Sequence, residues 1–201
     1  MKKLVKVTAL LLVAAAMFAG CKNNVEEEQP AKDAPLFSKD DVSITIDVND
    51  IEVTDGDWVA SVKDAGKIPT SDMGSEYPFG SGVIEMINFR KVEFTVAGSN
   101  VTFTYGYEKE SGTLTLDNDP TEAEIAQLKE NGCTVNGRVA TFEEEGDAPK
   151  SELDNMLLSD VLSEAYGLTI KTNADHTKYF GEVKQTKGDY YTSEEFYLMK
   201  K

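Results

Sequence analysis

The amino-acid sequence predicts a mainly β domain of the α+β class: an antiparallel β-barrel or a strongly curved sheet that carries two helices. Three observations predict it. Apolar and polar residues alternate with the period of a half-buried strand in segments spread from Val42 to Met199. Turn formers separate those segments, among them Ala97-Gly98-Ser99-Asn100, Asn136-Gly137 and Gly188-Asp189. Helical signals occur in two stretches only, near Glu122 and near Glu152.

In chain order, Val42 to Val48 alternates, with Val42, Ile44, Ile46 and Val48 on one face. Trp58 to Val62 alternates again, with Trp58, Ala60 and Val62 inward. Asp64 to Phe79 contains Gly66, Pro69, Gly74 and Pro78 and reads as a long loop. Val83 to Val96 is strand-rich, but its apolar parity changes, which places a bulge or corner near Asn88 to Lys91. After the turn at Gly98, Val101, Phe103, Tyr105 and Tyr107 alternate, Glu108 to Gly112 reads as a turn, and Thr113 to Leu116 as a strand. Thr121-Glu122-Ala123-Glu124 is a capping box that starts a helix from Glu122 to Glu130, and Asn131-Gly132 stops it. Asn136-Gly137 favours a type I′ hairpin turn. Ser151 can cap a second helix, about Glu152 to Tyr166, whose rows Leu153/Leu157/Val161 and Leu158/Leu162/Tyr166 give a broad apolar face. The chain closes with strands at Leu168 to Thr172, Lys178 to Lys184 and Glu195 to Met199.

The first residues, MKKLVKVTALLLVAAAMFAGC, have a basic head, an apolar centre and small residues before Cys21. The segment resembles a bacterial lipoprotein signal peptide. That resemblance implies cleavage before Cys21, lipidation of Cys21 and a membrane-anchored place in the bacterial cell envelope, outside the cytoplasm. Three parts follow: residues 1–20 as signal peptide, 21–36 as the lipidated cysteine and a disordered tether, and 37–201 as one mainly β domain. The tether reading rests on Lys22 to Pro35, which is rich in Glu and Pro and poor in aliphatic residues. With Lys2, Lys3 and Lys6 removed, 17 basic side chains face 36 acidic ones. Such a surface repels nucleic acid, which is excluded as a partner. The membrane, through the acyl anchor, is the expected contact, together with an envelope protein or a small apolar ligand. If Cys21 is acylated, Cys133 has no disulfide partner and reads as a buried structural thiol.

Catalytic patterns are missing from the sequence: there is no P-loop, no paired-His zinc motif and no Gly-x-Ser-x-Gly elbow. The single histidine, His176, sits in an apparent turn. Asp117-Asn118-Asp119 opens like a calcium loop, but Pro120 and the absent glycine break the pattern. The expectation is therefore a protein without enzymatic activity, cofactor or metal. Gly56-Asp57-Trp58, followed by an antiparallel meander, resembles the Gly-x-Trp start of a lipocalin barrel. The resemblance implies a late basic residue packed over the Trp, and Lys178 and Lys184 are the candidates. It also implies a cavity, which Trp58, Phe94, Phe103, Tyr105 and Tyr107 would line. Two functions follow: a non-catalytic interaction or structural module with a filled core, or a carrier of a small apolar ligand.

Overall fold

The computed structural model describes residues 32–73 and 80–201. The signal segment, Cys21, most of the tether and residues 74–79 lie outside the described residues. The described residues form nine strands: β1 Ile44–Ile46, β2 Gly56–Pro69, β3 Gly82–Ala97, β4 Asn100–Leu116, β5 Thr134–Asn136, β6 Val139–Asp147, β7 Thr169–Thr172, β8 Lys178–Lys187 and β9 Tyr190–Lys200. They make one sheet in the order β1-β7-β8-β9-β2-β3-β4-β6-β5, and every pair is antiparallel. The sheet is open, not the barrel alternative. Its edge strands β1 and β5 have three residues each, and short edges resist further pairing. Among the described residues there are three helices where the sequence predicts two: α1 Glu122–Glu130, α2 Lys150–Leu153 and α3 Leu158–Ser163.

The three long central strands run through residues that read locally as punctuation. β2 continues through Gly66 to Pro69, where the sequence predicts loop. Pro69 is tolerated because the pairing with β9 ends at Lys67↔Tyr191, so its missing N–H removes no ladder bond on that side. β4 continues through the predicted turn at Glu108 to Gly112. There Gly112 leaves room for the Phe142 ring: an added Cβ would lie 2.5 Å from its Cε1. The parity change belongs to β4, not to β3. The β3–β4 register shifts between Glu93 and Phe94, so Phe94 faces Phe103 while Glu93 faces Tyr105. Thr104 is the extra residue, and this bulge turns Tyr105 and Tyr107 to the opposite face from Phe103.

Both faces of the sheet are buried in places, which is why Trp58, Val59, Ala60, Ser61 and Val62 are all buried in succession. One face, here the helix face, holds two cores. Around α2 and α3, Leu153, Val161 and Ala165 pack on Trp58, Phe94, Ile170, Tyr179, Phe196 and Leu198. Around α1, Leu128 packs on Ile84, Met86, Leu114, Leu116 and Ala140. The other face is crossed by the start of the described chain, a strap. Lys32 reaches Asp147 at 3.3 Å and lies 4.8 Å from the Tyr107 ring centroid. Asp33 pairs with Lys109. Leu36 and Phe37 pack on Val42, Phe180 and Tyr197, with the Phe37 and Tyr197 rings edge to face at 5.3 Å. Residues 32–36, predicted as disordered tether, are thus part of the domain, because the sheet offers aromatic surface and opposite charge to a segment that has little of its own.

β1 is shorter than its alternation predicts. Asp47 accepts from the Asn49 N–H at 2.9 Å and caps a 3-10 turn at Val48–Asp50. Val42 is buried on the strap face while Ile44 is 43% exposed. The α1 capping box forms as the sequence predicts, with the Thr121 N–H donating to Glu124 at 2.7 Å. The second predicted helix is broken between α2 and α3. Asp160 accepts from the Leu157 N–H at 2.8 Å and starts a new helix there. Asn155 donates back to the Ser151 carbonyl at 2.6 Å, ending the first. Leu157 consequently points outward and is 61% exposed. In the β5–β6 hairpin Asn136 pairs with Val139, so the turn residues are Gly137 and Arg138. Only Gly137 has positive φ, at 58°, which excludes the predicted type I′ turn.

Candidate functional site

The five aromatic residues that the sequence nominates do not share a space. Trp58, Phe94 and Phe103 lie in the core under α2 and α3, and Trp58 has no exposed surface. Phe94 and Phe103 pack with centroids 5.3 Å apart. The Trp58 indole N–H donates to the Thr54 carbonyl at 2.7 Å, which satisfies its one polar atom. Tyr105 and Tyr107 are on the strap face, donating to Asp147 at 3.1 Å and to Glu145 at 2.8 Å. Burial and the Glu145 carboxylate drive the Tyr107 hydroxyl strongly upward, so it stays a proton donor. The basic residue over Trp58 is Lys200 of the last strand, 5.9 Å from the ring centroid and bonded to the Thr54 hydroxyl at 3.0 Å. The two lysines suggested by the sequence sit elsewhere, Lys178 over Phe37 and Lys184 over Tyr191.

One concave feature is a cleft of about 210 Å³ between the helix face and α2–α3. Its floor is apolar, with Ala60, Val62 and Val92 from the sheet and Met156 and Val161 from the helical side. Charged residues line much of the rest: Arg90, Lys91, Glu108, Glu152, Asp160 and Glu164. Arg90 donates to both carboxylate oxygens of Glu164, at 3.1 and 3.2 Å, and to Asp64 at 3.5 Å. Its Nε is buried and has no hydrogen-bond partner. Burial works to lower the Arg90 pKa, but the Glu164 and Asp64 carboxylates outweigh it and the net direction is up. Asp64 also moves up, because burial outweighs the attraction of Arg90, whose best-made bonds go to Glu164. Arg90 therefore ties β3 to the residue that ends α3, at 24% side-chain exposure, where a guanidinium–carboxylate fork is worth more than at the surface.

Beside the cleft, the register lines up four acidic residues and one asparagine across the helix face: Glu194, Asp64, Asn88, Glu110 and Glu144 are successive cross-strand neighbours. This row separates the α1 core from the α2–α3 core. Burial raises the pKa of Glu110, and repulsion from Glu144 and Glu108 adds to it. Burial likewise raises Glu108, with Arg90 opposing and Glu152 adding. Among the described residues no group of three His, Cys, Asp or Glu side chains is placed to hold a metal ion. The sequence reading missed both Arg90 and this row. Their only sequence signal is charged residues at strand positions that share parity with core residues, and that signal is visible only once the register is known.

Cys133 is half-buried against the α1 core, and burial raises its thiol pKa, which disfavours the thiolate. His176 is exposed in the turn between β7 and β8, with φ 52°. Asp117 lies in the connection to α1, where its carbonyl accepts from Arg138 at 3.1 Å. Compared with known proteins, the chain matches no family model, no curated protein and no solved structure.

Proposed function

We propose that the chain is a membrane-anchored lipoprotein of the bacterial cell envelope whose β-domain is a non-catalytic interaction or structural module. The anchor half of this reading rests on the basic, apolar and small-residue pattern ending at Cys21. The module half rests on one observation: the aromatics that would line a carrier's cavity fill the interior instead. Trp58 and Phe94 are at most 1% exposed and pack on neighbouring side chains, and Tyr105 and Tyr107 lie on the other face. The excess of acidic over basic side chains, −16 over the full chain, suits a domain held in water beside a membrane.

Two measurements test the proposal. Once residues 1–20 are cleaved, the Cys21→Ser chain should be folded and found in the soluble fraction; retention of the cleaved variant in the membrane would reject the anchor. A fluorescent apolar probe titrated into the protein should show no saturable binding. Saturation that Trp58→Phe abolishes without lowering the melting temperature would favour the apolar-ligand carrier instead.

A further inference from the structure

We infer that Asn136, the last residue of β5, is a site of spontaneous covalent modification, where the side-chain amide cyclises onto the Gly137 nitrogen and ends as aspartate and isoaspartate. The inference is independent of the membrane anchor and of the domain's role. The reaction needs an asparagine followed by a residue whose nitrogen is unshielded, and glycine, without a Cβ, shields least. Asn-Gly occurs twice in the sequence, at Asn131-Gly132 and Asn136-Gly137. Both pairs are exposed, and a Cβ added at either glycine would meet nothing within 4 Å. Hydrogen bonding separates them.

Asn131 is held. Its Nδ2, the atom that must leave, donates to the Gln127 carbonyl at 2.8 Å. The Gly132 nitrogen, the atom that must attack, donates to the Lys129 carbonyl at 3.1 Å. Neither restraint exists at Asn136. Among the described residues its side chain makes no hydrogen bond, and the Gly137 N–H has no acceptor. The main chain is restrained by the Asn136↔Val139 pair, at the end of a three-residue strand with β6 on one side and no strand on the other. Such an end frays at little cost, which lets Asn136 rotate toward Gly137. In the reaction hydroxide takes the Gly137 N–H proton, and the nitrogen bonds to Asn136 Cγ. The Cγ–Nδ2 bond breaks, and Nδ2 leaves as ammonia with a proton from water, which restores the hydroxide. Water then opens the resulting succinimide. Addition at Cγ gives aspartate; addition at the main-chain carbonyl carbon gives isoaspartate, whose chain runs through Cβ and Cγ. One water is consumed and one ammonia released, with no change of oxidation state. The extra methylene of isoaspartate puts β5 out of step with β6 and draws Val135 off the α1 core, on which it packs.

The test ages the full-length chain in detergent at mildly alkaline pH and physiological temperature and then digests it with trypsin. Residues 130–138 come out as a single peptide that carries both asparagines, so each is a control for the other. Fragment ions show which of them has gained the mass difference between water and ammonia. Conversion at Asn136 should exceed that at Asn131 at least about fivefold, since each of the two hydrogen bonds at Asn131 is worth a factor of about two or more. In denaturing urea, where those bonds are gone, the two should convert at similar rates. The converted peptide should resolve into two forms, and only the isoaspartyl form should accept a methyl group from an isoaspartate methyltransferase. Conversion at Asn131 equal to or above that at Asn136 in the folded chain would overturn the inference. It would also fail if Asn136 stayed intact in the folded chain over the time that converts it in urea.

Discussion

Gly112→Ala tests whether β4 runs unbroken through the segment that its sequence presents as a turn. Gly112 pairs with Met86 on one side and Phe142 on the other. A methyl group there would sit 2.5 and 2.6 Å from two atoms of the Phe142 ring and 3.0 Å from the Glu85 carbonyl oxygen. The ring is packed against the α1 core and the carbonyl belongs to the paired strand, so neither yields freely. Overpacking of this kind costs about 1–3 kcal/mol. For a chain of this length each kcal/mol lowers Tm by about 2–4 °C. Phe142→Leu removes the two ring atoms in question and should restore part of the loss, not all, because the Glu85 contact remains. The assay is a double-mutant cycle by urea unfolding of Gly112→Ala, Phe142→Leu and the pair, with an expected favourable coupling of about 1 kcal/mol. A single-mutant loss below about 0.5 kcal/mol, or additivity across the cycle, would refute the pairing of Gly112 beneath Phe142.

Leu128→Ala should cost about 2–5 kcal/mol, since Leu128 is 1% exposed, whereas Leu157→Ala should stay within about 0.5 kcal/mol; equal losses in urea unfolding would mean that α2 and α3 form one continuous helix. Phe37→Ala should cost about 2 kcal/mol, from the edge-to-face pair with Tyr197 and part of the ring's burial, and should speed tryptic cleavage after Lys39; an unchanged digestion rate would reject the strap. Glu110 has its folded-state pKa raised above the ordinary 4.5, so the folded state binds the proton more tightly and the contribution to stability, full below about 4.5, is lost as pH rises through the folded value. Glu110→Gln should therefore be more stable than the parent at pH 7, with the difference closing as pH falls toward 4; a variant that is less stable at pH 7 would show that Glu110 is held by an attractive partner.

Part of this architecture is written locally. The alternation that predicts β strands at Trp58, Val101, Leu168 and Glu195 is met by strands at each place, because a period of two leaves a chain few other ways to bury one face. Thr121 and Glu124 fix the start of α1, since the capping box is completed within four residues and needs no distant partner. The turns at Gly98 and Gly188 carry the left-handed φ that only their own residue type makes easy. What remained for the tertiary structure was every feature that depends on a neighbour. A glycine such as Gly112 has the same local meaning as a turn or as a space beneath a ring, and only Phe142 on the adjacent strand decides between them. The bulge at Thr104 moves Tyr105 and Tyr107 to the strap face, because parity within β4 is set by its register on β3. Leu157 lost its predicted burial when Asp160 began a new helix. Residues 32–37 lack the composition to fold alone and are ordered by aromatic and charged groups that β4, β6, β8 and β9 supply. Arg90 meets Asp64 and Glu164 across 26 and 74 residues of sequence, a convergence that no local pattern encodes and that the sheet register, with α3 above it, brings about.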